Sequence, residues 1–514
     1  MVEENNLTNE SLSEVVLNTR LGKIKGRQQP GHQDYLGIRY AQAPVGELRF
    51  MPPRRIDHWE GLYDATQYGP IAPQAYPDTP PLLLEESEDC LSLNIHTPVA
   101  DGNARPVMVF IHGGGFLIDS GSRPRTYGGL LAEAGDVVVV TIEYRMGAFG
   151  FLYTENISPN LGLQDQVCAL EWIQHHIRDF GGDPANVTIF GESAGATSVA
   201  YLMVMPSAKG LFHKAILESG AFPLETQAEN RRYAEAGTNK FFKTLQVSPG
   251  DLTALQHAPY EQILQAEKKA AGRLLLSDRA FYPVMDGQII PEDVYGALRG
   301  GCSQDIPVII GVNAEELPIF GPLLKPGLTQ FLAKNILLKK IKKLGVTGRQ
   351  IKTLLGLYRE SLMAEARAEL REYNHLFSDQ NFRLPATLFA EAQQSAFPNL
   401  FFYTFAYPAP KVKAASHVME LYFVFGTLKT SDVAEMMQVP GTDEELRLSA
   451  AMMGAWSSFA RSGDPNHPGL PEWPRYEPER RATLFLDLQP RVVERPFDDI
   501  RVAWMEIVAS RDQD

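Results

Sequence analysis

The chain has 514 residues, of which 44% are hydrophobic and 21% charged, a composition typical of a soluble globular protein with a large core. Its 48 Lys plus Arg against 62 Asp plus Glu give a net charge of −14, which disfavours nucleic acid and anionic membrane surfaces as partners. No run of 18 apolar residues predicts a membrane-spanning helix. Three cysteines are too few for a disulfide framework, and they favour a cytoplasmic location.

The first residues of the chain predict where the folded domain begins. The stretch 1–14, "MVEENNLTNESLSE", is acidic and polar, without the basic and apolar regions of a signal peptide, and it predicts a loose tail. We expect residues 15–510 to form a single domain. Its first part, about 15–100, is rich in Pro and Gly and predicts an irregular layer with short strands.

Continuous apolar, β-branched runs follow, which is typical of strands covered on both faces. They are "VMVFIH" (107–112), "VVVVTIEY" (137–144), "VTIF" (187–190), "KAILES" (214–219), "IPVIIGV" (306–312), "LFFYTFAY" (400–407) and "ATLFLDL" (482–488). Helical patterns lie between them, for example 163–180, which the "GGDP" at 181–184 ends. This alternation predicts an α/β fold with a mostly parallel, doubly wound sheet and helices on both faces.

The stretch from about 225 to 395 departs from this alternation and predicts a largely helical insertion. Within it, "FLAKNILLKKIKKLG" (331–345) has an apolar stripe beside a lysine-rich face. We interpret the basic segment 334–343 as a solvated helix face. The alternative is a lid that meets a lipid interface.

The strand-like run 187–190 leads into "FGESAG" (190–195), and a helical pattern follows. Strand, tight turn and helix is the context in which a G-x-S-x-G pattern exposes a strained nucleophilic serine. The small residues Gly191 and Gly195 let the backbone turn sharply around Ser193. The alternative is a helix that begins with Ser193 as its cap.

A second glycine-rich turn favours the interpretation of Ser193 as a nucleophile over that of a helix cap. "VMVFIHGGGF" places Gly113, Gly114 and Gly115 directly after an apolar strand. Consecutive glycines let backbone N–H groups point into a cavity, as stabilisation of a tetrahedral oxyanion requires. One such run could be a flexible turn, but two glycine turns that each follow a strand predict a nucleophile with an oxyanion hole.

A serine nucleophile needs a histidine base and a carboxylate that orients it. In the chain order Ser, acid, His, the later histidines are the candidates. His417 follows the strand at 400–407 and a short loop, which favours it over His257, His375 and His467. The strand at 306–312 ends in "NAEEL", and one of Glu315 and Glu316 is the expected acid, although the pattern does not say which.

The chain resembles the type-B carboxylesterase and lipase family of α/β-hydrolases, and its pattern is most similar to bacterial para-nitrobenzyl-type esterases. The resemblance runs nearly end to end. It rests on "GIRYAQAPVGELRF", "SEDCLSLNIHTP", "HGGGF", "EYRMGAFGFL", "NLGLQDQ", "FGGDPANVTIFGESAGA", "FYPVMDGQIIP", "HVMELYFVFG" and "FARSGDPN".

The resemblance implies a role for each matching residue. Ser193 would be the nucleophile, Glu316 the acid and His417 the base. The oxyanion donors would be the N–H groups of Gly114, Gly115 and Ala194. Residues that hold the triad through hydrogen bonds would be Glu192, Ser219 and Glu420. Arg49 with Glu88, and Arg145 with Asp165, would form buried structural ion pairs.

Several positions depart from the family pattern. Ala72 stands where the family has the cysteine partner of Cys90, so we expect Cys90 to be a buried thiol. Leu317 and Val418 stand where the family has glycines, after the acid and after the histidine. The loop before Cys90 contains no tryptophan that could hold a quaternary ammonium group, which disfavours cholinesterase activity.

The sequence therefore predicts a serine carboxylic-ester hydrolase that acts on apolar, neutral esters through an acyl-enzyme on Ser193. The alternatives are a lipase for longer chains and a non-catalytic binding protein on the same fold. We expect a small-molecule ester as substrate, no cofactor or metal, and a monomer or small homo-oligomer. The residues expected to line the substrate pocket are Phe116, Leu317, Phe320 and Phe382.

Overall fold

The computed structural model describes residues 13–76, 84–98, 103–272, 279–317, 334–335, 337–339, 341–342, 345–361, 371–430 and 439–511. Most of the predicted tail, residues 1–12, lies outside this part, and the first strand begins at Glu14. Residues 336, 340 and 343 of the basic segment 334–343 also lie outside it.

Thirteen strands are present in the described residues, all in one sheet. They are β1 (Glu14–Thr19), β2 (Gly22–Gln28), β3 (His32–Arg39), β4 (Leu62–Asp64), β5 (Ser92–Pro98), β6 (Arg105–Ile111), β7 (Val138–Ile142), β8 (Gly182–Glu192), β9 (Lys214–Glu218), β10 (Val308–Asn313), β11 (Leu400–Phe405), β12 (Thr483–Leu486) and β13 (Arg491–Val493).

The strand order is β1-β2-β3-β5-β7-β6-β8-β9-β10-β11-β12-β13, with β4 beside β2. The strands from β7 to β12 in this order are all parallel. The pairs β1-β2, β2-β3, β3-β5, β5-β7 and β12-β13 are antiparallel, and β4 pairs parallel with β2. Each of the seven apolar runs in the sequence forms one of these parallel strands. The prediction of a mostly parallel α/β sheet is therefore confirmed.

The helices of the described residues cover both faces of the sheet. They are α1 (Gly129–Gly135), α2 (Gly147–Phe151), α3 (Leu161–His176), α4 (Ala194–Val204), α5 (Gln227–Leu245), α6 (Leu252–His257), α7 (Tyr260–Ala271), α8 (Val294–Arg299), α9 (Gly348–Ser361), α10 (Arg371–Ser378), α11 (Leu384–Ala396), α12 (Met419–Val424), α13 (Asp443–Ser462) and α14 (Asp498–Arg511). No helix among the described residues is long and apolar enough to cross a bilayer.

Alternation along the central strands divides the core into two layers. On β6, Val107, Val109 and Ile111 pack into one buried cluster, and Met108 and Phe110 pack into the other. Successive side chains of a strand point to opposite faces, so a strand covered on both sides must be apolar throughout. This is why these strands appear in the sequence as continuous rather than alternating runs.

A third buried cluster joins the C-terminal helix α14 to α9 and α10. Trp504 of α14 donates its indole N–H to the hydroxyl of Tyr358 at 2.9 Å, and this hydroxyl donates to Asp379 Oδ2 at 2.7 Å. Asp379 lies 3.2 Å from Arg383 Nη1, and Arg383 Nη2 donates to the carbonyl oxygen of Ala314 at 3.4 Å. The last helix is thus connected to the loop that follows β10.

Candidate active site

Ser193 lies in the turn between β8 and α4, at the carboxyl end of the parallel sheet. Its φ of 58° and ψ of −121° are a strained conformation for a residue with a side chain. The N–H of Ser193 donates to the carbonyl oxygen of Glu218 at 2.9 Å, and the carbonyl of Ser193 accepts from Thr197 N–H at 3.0 Å. The neighbouring strand and helix thus hold the turn in place.

The glycines on either side of Ser193 are required by close backbone contacts. A Cβ atom on Gly195 would lie 1.9 Å from the carbonyl oxygen of Ile111, and one on Gly191 would lie 2.6 Å from the carbonyl carbon of Gly195. These clashes explain the small residues that surround the serine in "FGESAG".

The glycine loop after β6 passes directly beside this turn. A Cβ atom on Gly113 would lie 3.0 Å from Ser193 Cβ. Gly114 and Gly115 have φ of +86° and +63°, and no backbone hydrogen bond within the described residues uses their N–H groups. Ala194 is the first residue of α4, so its N–H has no acceptor within the helix. All three N–H groups are therefore available to bind an oxyanion.

Glu316 and His417 are joined by two hydrogen bonds. The N–H of His417 donates to the carbonyl oxygen of Glu316 at 2.8 Å, and Nδ1 lies 2.7 Å from Oε2. Glu316 Oε1 accepts the N–H of Asn313, the last residue of β10, at 2.7 Å. A carboxylate only accepts hydrogen bonds, so the proton of a neutral imidazole stays on Nδ1 and leaves Nε2 as a free base.

The second ring nitrogen of this imidazole, Nε2, faces Glu192, the residue before the serine. Nε2 of His417 lies 3.1 Å from Glu192 Oε1, and Ser193 follows Glu192 directly. Within the part of the chain that the structure describes, the Ser193 hydroxyl makes no hydrogen bond. The structure thus brings the serine turn, the imidazole and the glycine loop together at one edge of the sheet.

Buried carboxylates control the charge of His417. Burial by itself lowers the pKa of the imidazole, but the charge of Glu192 and the bond to Glu316, with a further contribution from Glu420, raise it to about 9. Burial in turn raises the pKa of Glu192 and of Glu420 above the usual range. The site therefore stabilises positive charge on the imidazole.

Glu420 and Ser219 belong to a hydrogen-bonded network behind the pair. The Ser219 hydroxyl donates to Glu420 Oε1 at 3.3 Å, and the side-chain amide of Asn313 donates to Glu420 Oε2. The same amide donates to the carbonyl oxygen of Ser416 at 2.8 Å. Asn313 therefore fixes both the acid and the residue before the base.

Two buried polar residues near the site, Asn313 and Glu218, do not follow from the sequence patterns above. Glu218 is fully buried at the end of β9, where Trp456 Nε1 donates to its Oε1 at 3.0 Å, and burial raises its pKa. The sequence did contain a sign of each residue. Glu218 is a carboxylate inside the apolar run "KAILES", and Asn313 is an amide at the end of "IPVIIGVN", so both are polar groups in strands expected to be buried. Such groups need partners.

The residues expected to line the substrate pocket lie at different distances from the catalytic candidates. The Phe382 ring centroid lies 4.8 Å from that of His417, and Leu317 directly follows Glu316 and packs against the C-terminal cluster. Phe116 is fully buried beside Gly115, and its ring contacts Phe151 and Tyr282. Phe320 lies outside the described residues.

The departures from the family pattern have visible structural effects. Val418, in place of a glycine, has a φ of 75°, which is unfavourable for a β-branched residue. The N–H of Leu317 donates to Ser378 Oγ at 3.2 Å, so the turn after the acid is held by a contact from α10. Cys90 is a buried free thiol, as expected.

Both ion pairs that the resemblance implies are present. Arg49 Nε lies 2.7 Å from Glu88 Oε2, and Arg145 Nη2 lies 2.7 Å from Asp165 Oδ1. Arg145 and Asp165 are buried in the core, and a pair of this kind fixes the arrangement of the strands and helices around it. No group of three His, Cys, Asp or Glu side chains positioned to hold a metal ion is found among the described residues.

Comparison with known proteins finds relatives that match nearly the whole chain. The model of the carboxylesterase family matches residues 13–503. The chain is 36% identical to the para-nitrobenzyl esterase of Bacillus subtilis, over 95% of this chain and 97% of that protein. It is 32% identical to human carboxylesterase 3, over 97% and 91% of the two chains.

Solved structures show the same relationship. The carboxylesterase EST55 of Geobacillus stearothermophilus superimposes with a TM-score of 0.84 at 38% identity, over 95% of this chain and 99% of that chain. A para-nitrobenzyl esterase superimposes with a TM-score of 0.80 at 35% identity, over 96% and 100%.

The chain belongs to the carboxylesterase family and has the α/β-hydrolase fold. It is a serine carboxylic-ester hydrolase, and among known proteins it is similar to the bacterial para-nitrobenzyl esterases. The prediction of the family, the fold and the reaction from sequence motifs is thereby confirmed.

Proposed function

We propose that Ser193, His417 and Glu316 are the catalytic triad of this esterase, with Gly114, Gly115 and Ala194 as the oxyanion donors. The observation that carries the proposal is the pair of bonds between His417 and Glu316, placed beside the strained turn that presents Ser193. A base oriented by an acid and lying close to a serine hydroxyl is the arrangement that activates a serine.

In the first half of the reaction, Nε2 of His417 takes the proton of the Ser193 hydroxyl as the oxygen attacks the ester carbonyl. The negative charge that develops on the carbonyl oxygen is stabilised by the three N–H groups, each worth about 3 kcal/mol in comparable sites. The imidazolium then gives its proton to the leaving alcohol, and an acyl group remains on Ser193.

In the second half, water takes the place of the alcohol. His417 removes a proton from the water, the tetrahedral intermediate forms again in the same oxyanion hole, and its collapse releases the carboxylic acid. Glu192 and Glu420 stabilise the imidazolium that forms in both halves, and the Ser219 hydroxyl holds Glu420 in place.

The substrates that we propose are small, mainly apolar, neutral esters. Phe382 places an aromatic ring against the base, and Leu317 adds an aliphatic side chain after the acid. A formal charge of −14 and three free cysteines support a cytoplasmic enzyme that does not bind nucleic acid. We propose a monomer or a small homo-oligomer as the working unit.

The test combines covalent labelling with a single substitution. A serine-directed organophosphate should inactivate the enzyme with one adduct per chain, on the peptide that contains Ser193. Ser193→Ala should lower kcat on p-nitrophenyl esters by roughly 10⁶-fold while the thermal unfolding midpoint stays close to that of the parent protein. A label on a different residue, or turnover that persists in the variant, would refute the assignment.

A panel of p-nitrophenyl esters from acetate to palmitate defines the acyl preference. We expect kcat/KM to be highest for short and medium chains. Higher rates on emulsified long-chain esters would instead indicate a lipase.

A further inference from the structure

Tyr282 lies beside the loop that contains the proposed oxyanion donors. A Cβ atom added to Gly115 would lie 3.8 Å from the hydroxyl oxygen of Tyr282. The ring of Tyr282 packs edge-to-face on that of Phe116, with 4.9 Å between the centroids. The hydroxyl is therefore close to the place where the carbonyl of an ester would bind.

This hydroxyl differs from those of Tyr144 and Tyr40, which have hydrogen-bond partners. Tyr144 donates to the carbonyl oxygen of His112 at 2.8 Å, and Tyr40 donates to that of Glu143 at 2.7 Å. The half-buried Tyr282 makes no hydrogen bond to any residue in the described ranges. The Tyr282 hydroxyl is also not one of the buried, unpartnered hydroxyls of the described residues, so it remains open to solvent and is available to a bound ligand.

An ion pair also contacts the ring of Tyr282. The guanidinium carbon of Arg279 lies 5.3 Å from the centroid of the Tyr282 ring, and Arg279 is paired with Glu225. The charge of Glu225 balances that of Arg279, so the pair offers no net charge to an anionic ligand. Burial raises the pKa of Tyr282 although Arg279 opposes the shift, and the hydroxyl is thus a neutral donor at physiological pH.

We propose that the Tyr282 hydroxyl is a specificity determinant of this esterase. It donates a hydrogen bond to a neutral acceptor, an ether or carbonyl oxygen, a few atoms away from the scissile ester group. The preferred substrates are then esters that carry one such oxygen in an otherwise apolar acyl or alcohol chain. This inference rests on the proposed function, because it places the ester carbonyl at Gly114 and Gly115.

The test uses pairs of esters that differ only in one CH₂ group replaced by oxygen. p-Nitrophenyl butyrate and p-nitrophenyl methoxyacetate place the oxygen in the acyl chain. Butyl acetate and 2-methoxyethyl acetate place it in the alcohol. For each pair, the ratio of kcat/KM for the oxygen-containing ester to that for the all-carbon ester is compared between the parent enzyme and Tyr282→Phe, so that intrinsic differences in ester reactivity cancel.

In Tyr282→Phe we expect this ratio to fall by about three- to tenfold for at least one pair, the loss of one neutral hydrogen bond. The all-carbon esters should keep their kcat/KM within about twofold, because phenylalanine retains the ring contacts with Phe116 and Arg279. Tyr153→Phe is the matched control. Tyr153 is another half-buried tyrosine without a hydrogen bond in the described residues, and it lines a different groove.

Unchanged ratios in both pairs would overturn the proposal. So would an equal loss on all four esters, which would mean that the hydroxyl supports the oxyanion or the loop instead of the substrate chain. A failure of the proposed function is distinguishable from either result, because the all-carbon esters would then be hydrolysed equally well by Ser193→Ala.

Discussion

His417 and Glu316 contact each other through both main chain and side chain, with the 2.8 Å backbone bond lying beside the 2.7 Å bond between Nδ1 and Oε2. The backbone bond fixes the distance between the two residues, and the N–H of Asn313 on Oε1 fixes the rotation of the carboxylate. The tautomer of the imidazole is therefore decided by a group that does not itself touch the substrate.

This relationship predicts the effect of Glu316→Gln. The amide oxygen of glutamine must face the N–H of Asn313, which turns the NH₂ group toward Nδ1 of His417. Nδ1 then has to accept, so the neutral imidazole carries its proton on Nε2 and cannot act as a base. We expect kcat on p-nitrophenyl acetate to fall by about 10⁴-fold, as for the equivalent change in other serine triads.

Glu315→Gln is the matched control for this substitution. The adjacent carboxylate turns away from the base, accepts from Arg371 at 2.9 Å and from Asn374 at 2.8 Å, and therefore has a structural role. We expect kcat to stay within a few-fold and the protein to lose about 1–2 kcal/mol of stability, measured by chemical unfolding. An inactive Glu315→Gln together with an active Glu316→Gln would contradict our choice of the acid.

The charge of Glu192 predicts a shift in the pH profile. His417 must be neutral to accept a proton, so kcat/KM falls as the pH drops below the imidazole pKa, which the surrounding carboxylates raise to about 9 against the effect of burial. Glu192→Gln removes a charge that stabilises the imidazolium and thus lowers this pKa. We expect the acid limb of the kcat/KM profile to move to lower pH.

The control for this pH profile is Glu444→Gln, which changes an exposed carboxylate whose side chain retains 66% of its accessible surface. It should leave the acid limb in place. If Glu192→Gln moved the limb to higher pH, or not at all, the electrostatic role of Glu192 would be wrong.

The parts of the site that the sequence predicted are those that local pattern determines. The serine turn and the glycine loop each follow an apolar strand directly, and the close contacts at Gly195 and Gly113 leave no alternative to glycine. The parallel strands are predictable for a similar reason, since burial on both faces requires continuous apolar residues.

Contacts between distant segments could not be predicted in this way. Residue patterns alone did not distinguish Glu316 from Glu315, because their directions are decided by Asn313 on one side and by Arg371 and Asn374 of α10 on the other. Tyr282 was also missed, since its contacts with Gly115 and Phe116 join segments far apart in the chain.

Val418 predicts a measurable backbone strain next to the base. Its φ of 75° favours glycine, and the left-handed conformation costs a residue with a Cβ about 1–2 kcal/mol. We expect Val418→Gly to be more stable than Val418→Ala by about this amount, because alanine loses the valine contacts without relieving the strain. Both should be compared by thermal unfolding, and equal stabilities would show that position 418 is not strained.

The three cysteines predict a simple pattern of alkylation. Cys302 is exposed, whereas Cys90 and Cys168 are buried, and burial raises the pKa of both buried thiols. With a maleimide reagent, intact-mass measurement should show one adduct on the native protein and three after denaturation. Rapid native labelling of Cys90 would contradict the packing around this residue.

The connection from Trp504 through Tyr358, Asp379 and Arg383 to Ala314 has a practical consequence for handling the enzyme. Helix α14 thus stabilises the segment that carries the acid, although the nucleophile lies about three hundred residues earlier in the chain. Proteolytic removal of α14 should leave a protein that is still folded around Ser193. Its acid would no longer be held in position, and its specific activity should therefore be lower.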